Sequence, residues 1–159
     1  MKPDLDSLRA LGDVGWYCIG AILWATDYKL PKTVTALPAL SRNQEGVILA
    51  CGSSFDWGED AQVATFYCSF LSNVSMDLVL CGTNGSIHTG CTAKPEKVQV
   101  DAELPQEALK IQEFATLVEH VKKCGKTLDD KWPEISRQTQ LVLDAVNKSI
   151  EFGFKPVDL

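Results

Sequence analysis

The sequence is defined first by what it lacks. No run of apolar residues reaches the length of a membrane span. The most apolar stretch, Val14 to Ala25, is too short to cross a bilayer. There is no excess of positive charge: 15 Lys and Arg stand against 21 Asp and Glu, for a net charge of −6 and a pI of about 4.9. Nucleic acid and anionic membrane both need basic patches, so neither is expected as a partner. The only two histidines, His88 and His120, are far apart and have no cysteines at ligand spacing. No zinc site is expected; His88 reads as a strand residue and His120 as part of a charged helix face. The six cysteines, Cys18, Cys51, Cys68, Cys81, Cys91 and Cys124, form no C-x-x-C pair. Several fall within apolar runs, where cysteine behaves as a small hydrophobe. Free thiols suit a reducing compartment, which makes the cytoplasm the expected location. The N-terminal MKPDLDSLRALGD has no basic-then-apolar order and does not read as a signal peptide. The Asn-x-Ser matches at Asn73, Asn84 and Asn147 therefore read as chance. No G-x-G-x-x-G turn is present, and no nucleophile-elbow pattern. A Ser-His-Asp or Cys-His arrangement is left open, because its members need only meet in space.

What is present fits one folded domain over residues 1–159. Hydrophobic residues make up 45% and charged residues 23%, and a chain of 159 residues can bury a core without disulfide or metal staples. The stretch GDVGWYCIGAILWA, Gly12 to Ala25, contains two of the four tryptophans. Asp13 precedes its apolar run as an N-cap would, which predicts a helix from Asp13 to Thr26. Pro3 to Leu11 reads as a lead-in. Tyr17 lies one turn beyond Asp13 on the same face. A carboxylate beside a phenol is either a cap with a core tyrosine or a proton-transfer pair.

A strand-rich region follows. Lys32 to Leu40 is β-branched and interrupted by Pro38, and is expected to be an edge strand or to end early. Gly46 to Phe55 reads as a buried strand that loses order at its glycine and serines. Asp56 to Asp60 reads as a turn, since the ligand spacing of a calcium loop is absent. In Ala61 to Leu71, the residues Ala64, Phe66, Cys68 and Phe70 alternate with Thr65, Tyr67 and Ser69, the mark of a half-buried strand. Val74 to Leu80 alternates too. Asn84-Gly85 then predicts a hairpin whose second strand is Ser86 to Gly90. One short strand is expected at Lys97 to Val100. Pro105 opens a helix that ends at Gly125, with Leu104, Ala108, Ile111, Ala115, Val118 and Val121 on one face. A last helix is expected from Pro133 to Glu151, with Ile135, Val142, Ala145, Val146 and Ser149 inward and Gly153 as its stop. The tail, Phe154 to Leu159, is expected to add an edge strand. The order predicts an α+β fold: a mostly antiparallel open sheet with helices packed on one face.

The stretch GDVGWYCIGAILWATDYKLPKTVTALP resembles the start of the C-terminal domain of the Gfo/Idh/MocA oxidoreductases. Within that family it is similar to the plant and animal branch that includes dihydrodiol dehydrogenase. The likeness rests on Asp13, Gly15 and Tyr17 at the helix start. It continues through ATFYCSF, CGTNGSIH, ELPQEA and SRQTQLVLDAV, which together span nearly the whole chain. The resemblance implies an NAD(P)-dependent oxidoreductase acting on a small-molecule alcohol, diol or carbonyl. It makes Tyr17 the proton donor or acceptor, Asp13 its orienting partner and Trp16 a substrate neighbour. It also implies a homodimer formed through the sheet face, with Tyr67 and Met76 in the exposed patch. The family's cofactor is held by a Rossmann domain, and its substrate-side lysine comes from a Glu-Lys-Pro motif. Neither is matched here: Pro95-Glu96-Lys97 has similar residues in another order and region. NAD(P) is thus expected for the complete family fold and not for this chain alone. A non-redox dimerisation or small-molecule-binding module and a cofactor-free acid–base catalyst are the alternatives.

Overall fold

A computed structural model of the chain describes residues 8–58, 62–73, 77–89, 105–124 and 131–159. Met76, the lead-in before Leu8, and the strand expected at Lys97–Val100 lie outside them.

The fold is α+β. Helical backbone begins at Arg9 and passes through a π-helical turn, Leu11–Gly15, into helix α1, Trp16–Ala25. Strands β1 (Thr33–Ala36), β2 (Ser41–Arg42), β3 (Ile48–Asp56) and β4 (Val63–Ser69) follow. A separate hairpin, β5 (Leu78–Gly82) and β6 (Gly85–Thr89), comes next. Helices α2 (Gln106–Cys124) and α3 (Lys131–Glu151) and the short β7 (Val157–Asp158) complete the chain. Every strand pairing is antiparallel. None of the described helices is long and apolar enough to cross a membrane.

β3 is the centre of the sheet. Ala50 lies opposite Ser41 on one side and Ser69 on the other. β1 and β2 therefore form one interrupted strand along one edge of β3, and β4 runs along the other. Pro38 falls in the interruption, where a strand residue without an N–H is tolerated. β1 ends early as expected but is not an edge strand, because β7 pairs its outer side at Thr33 and Val34. β7 is the edge strand expected in the tail.

β3 keeps its order through Gly52, Ser53 and Ser54: the serines pair with both β1 and β4, and Gly52 pairs with Tyr67 and accepts the Leu37 N–H at 2.9 Å. Weak local propensity is overridden by two partners. Gly52 is needed there, since an added Cβ would stand 2.8 Å from the Phe66 carbonyl oxygen and 3.3 Å from the Tyr67 ring. The β5–β6 hairpin forms as expected, but its turn residues are Thr83 and Asn84, and β6 already begins at Gly85.

One face of the sheet is covered by α1 and α3. Val34, Ala36, Cys51, Phe55, Phe66 and Cys68 from the sheet meet Leu11, Ile19 and Leu23 from the first helical run, and Val142, Leu143, Val146 and Ile150 from α3. Phe55 is fully buried, with the Phe66 ring centred 5.8 Å away. Burying side chains of this size contributes roughly 1.5–3 kcal/mol each. The alternation read for β4 holds: Ala64, Phe66 and Cys68 face the helices and Tyr67 faces away, while Phe70, past the strand end, is exposed. Ile135, Val142, Ala145, Val146 and Ser149 turn inward on α3 as expected.

α2 does not behave like α3. Its apolar residues Leu109, Ile111, Phe114 and Val121 are exposed. The expected packing of all three helices on the sheet thus holds for α1 and α3 only. Ala108, Leu117 and Val118 are half-buried, and Phe114 and Leu117 line a cleft with Trp132 and Pro133, so the neighbour of α2 is the start of α3 rather than the sheet.

Candidate functional site

Asp13 is not an N-cap. The turn around it is already helical, its own cap position is Ala10 in αR geometry, and no side chain caps it. Asp13 instead lies inside the π turn. Such single turns are uncommon and recur at functional sites. The sequence LGDVG explains the local geometry. The turn must place Leu11 and Gly15 on the sheet and continue into Ile19, Ile22 and Leu23, all buried. Gly15 allows the close approach: a Cβ there would stand 3.1 Å from Leu11 Cδ1 and 3.5 Å from Cys68 Sγ.

With that face buried, the opposite one is set by helical spacing. Asp13, Tyr17 and Trp24 are exposed, Tyr17 to 64% and Trp24 to 61%. Tyr17 is therefore not a core tyrosine with a satisfied hydroxyl. Among the described residues neither Asp13 nor Tyr17 makes a side-chain hydrogen bond. Both groups stand free to meet something from outside. Gly20 lies between Tyr17 and Trp24, and a Cβ there would touch nothing within 4 Å. The result is an exposed helix face with an aromatic ring on either side of Gly20 in sequence and a carboxylate one turn from the phenol. Two exposed rings can supply apolar area and stacking to a ligand or a domain.

Trp16 is placed differently. It is partly buried and packs against the core from the side of the helix. It adjoins Tyr17 in sequence but does not share its open face. Arg9 closes the start of the turn, with its guanidinium carbon 5.3 Å from the centre of the Phe70 ring. Trp24 and Gly20 were not singled out from sequence. Their signal was the spacing from Tyr17 together with an apolar run too long to be buried on every side.

The helix start does not fit a dinucleotide. The phosphate cradle of a Rossmann unit needs a strand leading directly into a glycine-rich turn and helix. Among the described residues no strand precedes α1. No cluster of His, Cys, Asp and Glu able to hold a metal is found among the described residues. His88 is exposed on β6; the side chain of His120 lies outside the described residues. A cleft of about 560 Å³ lies between α2 and α3, lined by Phe114, Leu117, Trp132 and Pro133 with Lys110 and Glu113. It shares no residue with the exposed face of α1, so volume and candidate chemistry lie in different places. We favour the α1 face, because it carries the candidate proton-transfer residues Asp13 and Tyr17. No family model matches the chain.

Proposed function

We propose that this chain is the substrate-facing C-terminal part of an NAD(P)-dependent oxidoreductase acting on a small-molecule alcohol, diol or carbonyl in the cytoplasm. Tyr17 moves a proton to or from the substrate oxygen, and Asp13 orients the phenol or the substrate. Trp16 backs the site from the core side. The supporting observation is the exposed pairing of Asp13 and Tyr17, one turn apart, on a helix whose other face is locked into the core. When bound, the nicotinamide supplies or takes the hydride. This chain's own residues do not form its cradle, so the reading assigns the cofactor to a separate domain. A cation placed beside the phenol would favour its ionised form.

The test joins the chain to a nicotinamide-binding Rossmann domain in one polypeptide and follows NAD(P)H absorbance against a panel of diols, aldehydes and alcohols. Turnover is expected, and Tyr17→Phe should lower kcat by about 10²–10⁴ with little change in KM, the range for a lost general acid–base group. If the fusion binds cofactor yet stays inert on the whole panel, the proposal fails.

A second part of the proposal is a homodimer through the open sheet face. Val63 and Tyr67 are exposed there, on the side of the sheet away from α1 and α3. Tyr67→Glu should convert a dimer to a monomer in sedimentation. A wild-type chain that sediments as a monomer at all concentrations would remove this part.

A further inference from the structure

Two cysteines meet beneath the π turn. Cys51 of β3 and Cys68 of β4 lie directly opposite in register, with their sulfurs 3.6 Å apart. They are 1% and 2% exposed. The Phe70 N–H donates to the Leu49 carbonyl at 2.9 Å, two residues along the same ladder. Hydrogen-bonded and non-bonded pairs alternate in an antiparallel ladder, so Cys51 and Cys68 form a hydrogen-bonded pair with Cα atoms about 5.5 Å apart. A disulfide spans about 4.4–6.8 Å between Cα atoms. Directly opposite Cβ atoms stand about 4.5–5.5 Å apart and a disulfide wants about 3.5–4.5 Å, so bonding the sulfurs draws β3 and β4 locally together as the side chains rotate.

Cys68 also reaches the helix. Its S–H donates to the Ala10 carbonyl at 3.3 Å, and its sulfur sits 3.5 Å from where a Cβ on Gly15 would stand. Its single proton thus has two acceptors, the Cys51 sulfur and the Ala10 oxygen. Cys68 is the member that keeps its proton, held above the usual thiol range first by its bond with Cys51 and then by burial. Cys51 receives that bond and is held below the usual range, so it is the one to ionise. Cys18, half-buried on α1, has its thiol pushed up by burial and is the weaker nucleophile.

We infer that Cys51 and Cys68 are a peroxide-oxidisable thiol pair, and that their disulfide releases the tether from β4 to Ala10, at the head of the π turn that holds Asp13 and leads into the helix of Tyr17. The Cys51 thiolate attacks one oxygen of a hydroperoxide and breaks the O–O bond. The departing hydroxide or alkoxide takes a proton and leaves as water or alcohol, with Cys51 now a sulfenic acid. The Cys68 sulfur then attacks the Cys51 sulfur and expels hydroxide, which takes the Cys68 proton and leaves as water. Two thiols are oxidised and one peroxide is reduced. Burial favours the smaller oxidant: sulfurs this enclosed are reached only when the packing opens locally, and hydrogen peroxide, close to water in size, needs a far smaller opening than glutathione disulfide. The proton that Cys68 gave to Ala10 is lost in the product, and with it the link to the turn. This inference does not depend on the proposed oxidoreductase role.

The test treats the whole chain with hydrogen peroxide or with glutathione disulfide, alkylates it under denaturing conditions, and maps the peptides by mass spectrometry. Peroxide should link Cys51 to Cys68, reversibly with dithiothreitol, while glutathione disulfide should not. Amide hydrogen exchange over residues 9–18 should quicken about tenfold or more in the oxidised form. Cys51→Ala should abolish the link, and Cys18→Ser should leave it. Should the Cys51 variant not fold, the wild-type peptide map decides. The inference is overturned if Cys51 and Cys68 stay fully alkylatable after peroxide, if Cys68 links to Cys18 instead, if glutathione disulfide works equally well, or if the link forms with unchanged exchange.

Discussion

Ser149→Ala should destabilise the protein well beyond what one lost oxygen suggests. Ser149 is fully buried on α3. Its Oγ accepts from the Ala36 N–H at 2.9 Å and donates to the Lys155 carbonyl at 2.6 Å. The register explains why this hydroxyl is there. β7 pairs Val157 with Val34 and Asp158 with Thr33, so extending that register by two residues sets Lys155 opposite Ala36. The ladder has already ended, and Pro156 brings no N–H. The Ser149 hydroxyl bridges the gap, satisfying a donor on β1 and an acceptor before β7 at once. Removing it forfeits two hydrogen bonds worth about 1 kcal/mol each net and strands a buried N–H, which costs about 1–3 kcal/mol. Lys155 is itself exposed, so water can recover part of the acceptor's loss. The expected loss is about 2–3 kcal/mol. Urea unfolding followed by tryptophan fluorescence measures it, with the m-value expected unchanged. A loss below about 0.5 kcal/mol would refute the reasoning, because Ala36 would then have found another partner.

Gly20→Ala should raise stability by up to about 1 kcal/mol in the same assay, since a Cβ there meets nothing and alanine is the better helix former; a loss of stability would mean that the space at Gly20 is not open. Gly52→Ala should cost about 1–3 kcal/mol, because the new methyl meets backbone of β4 at 2.8 Å and β3 is held on both sides; an unchanged Tm would count against the close packing of Tyr67 over β3. The Glu134 carboxyl donates no proton but accepts two bonds from Arg137, at 2.8 and 2.7 Å, and its pKa is lowered first by those bonds. The sign follows: the pair contributes above the ordinary carboxylate range and is lost as pH falls through the depressed value. An NMR titration should place Glu134 below the other exposed glutamates, and Arg137→Ala should return it to them; a carboxyl unmoved by Arg137→Ala would reject the pairing.

Periodicity made α3 and β4 legible, because each has a single buried face and the side chains record it directly. The same logic misread α2. Ala108, Ile111, Ala115, Val118 and Val121 follow helical spacing just as Val142 and Val146 do, yet Ile111, Ala115 and Val121 are exposed, because spacing identifies a face without saying what covers it. Asp13 was misread for a related reason. An aspartate before an apolar run is the usual signal of a helix start, and the π turn that carries the helix past it depends on Gly15 settling over Cys68, a residue far away in sequence. The glycine and serines of β3 looked like weak points because propensity is local, whereas their order comes from pairing on both sides.

The sequence by itself determined the class of fold, the hairpin positions, the inward face of α3, and the one-turn spacing of Asp13 and Tyr17. These follow from turn chemistry and periodicity, which act over a few residues. Tertiary structure alone decided that Asp13 sits in a π turn, that Tyr17 and Trp24 are left exposed, that Ser149 joins β1 to the chain before β7, and that Cys51 and Cys68 come within 3.6 Å. Each of these depends on contacts between segments distant in the chain, fixed by how closely the helices can approach the sheet.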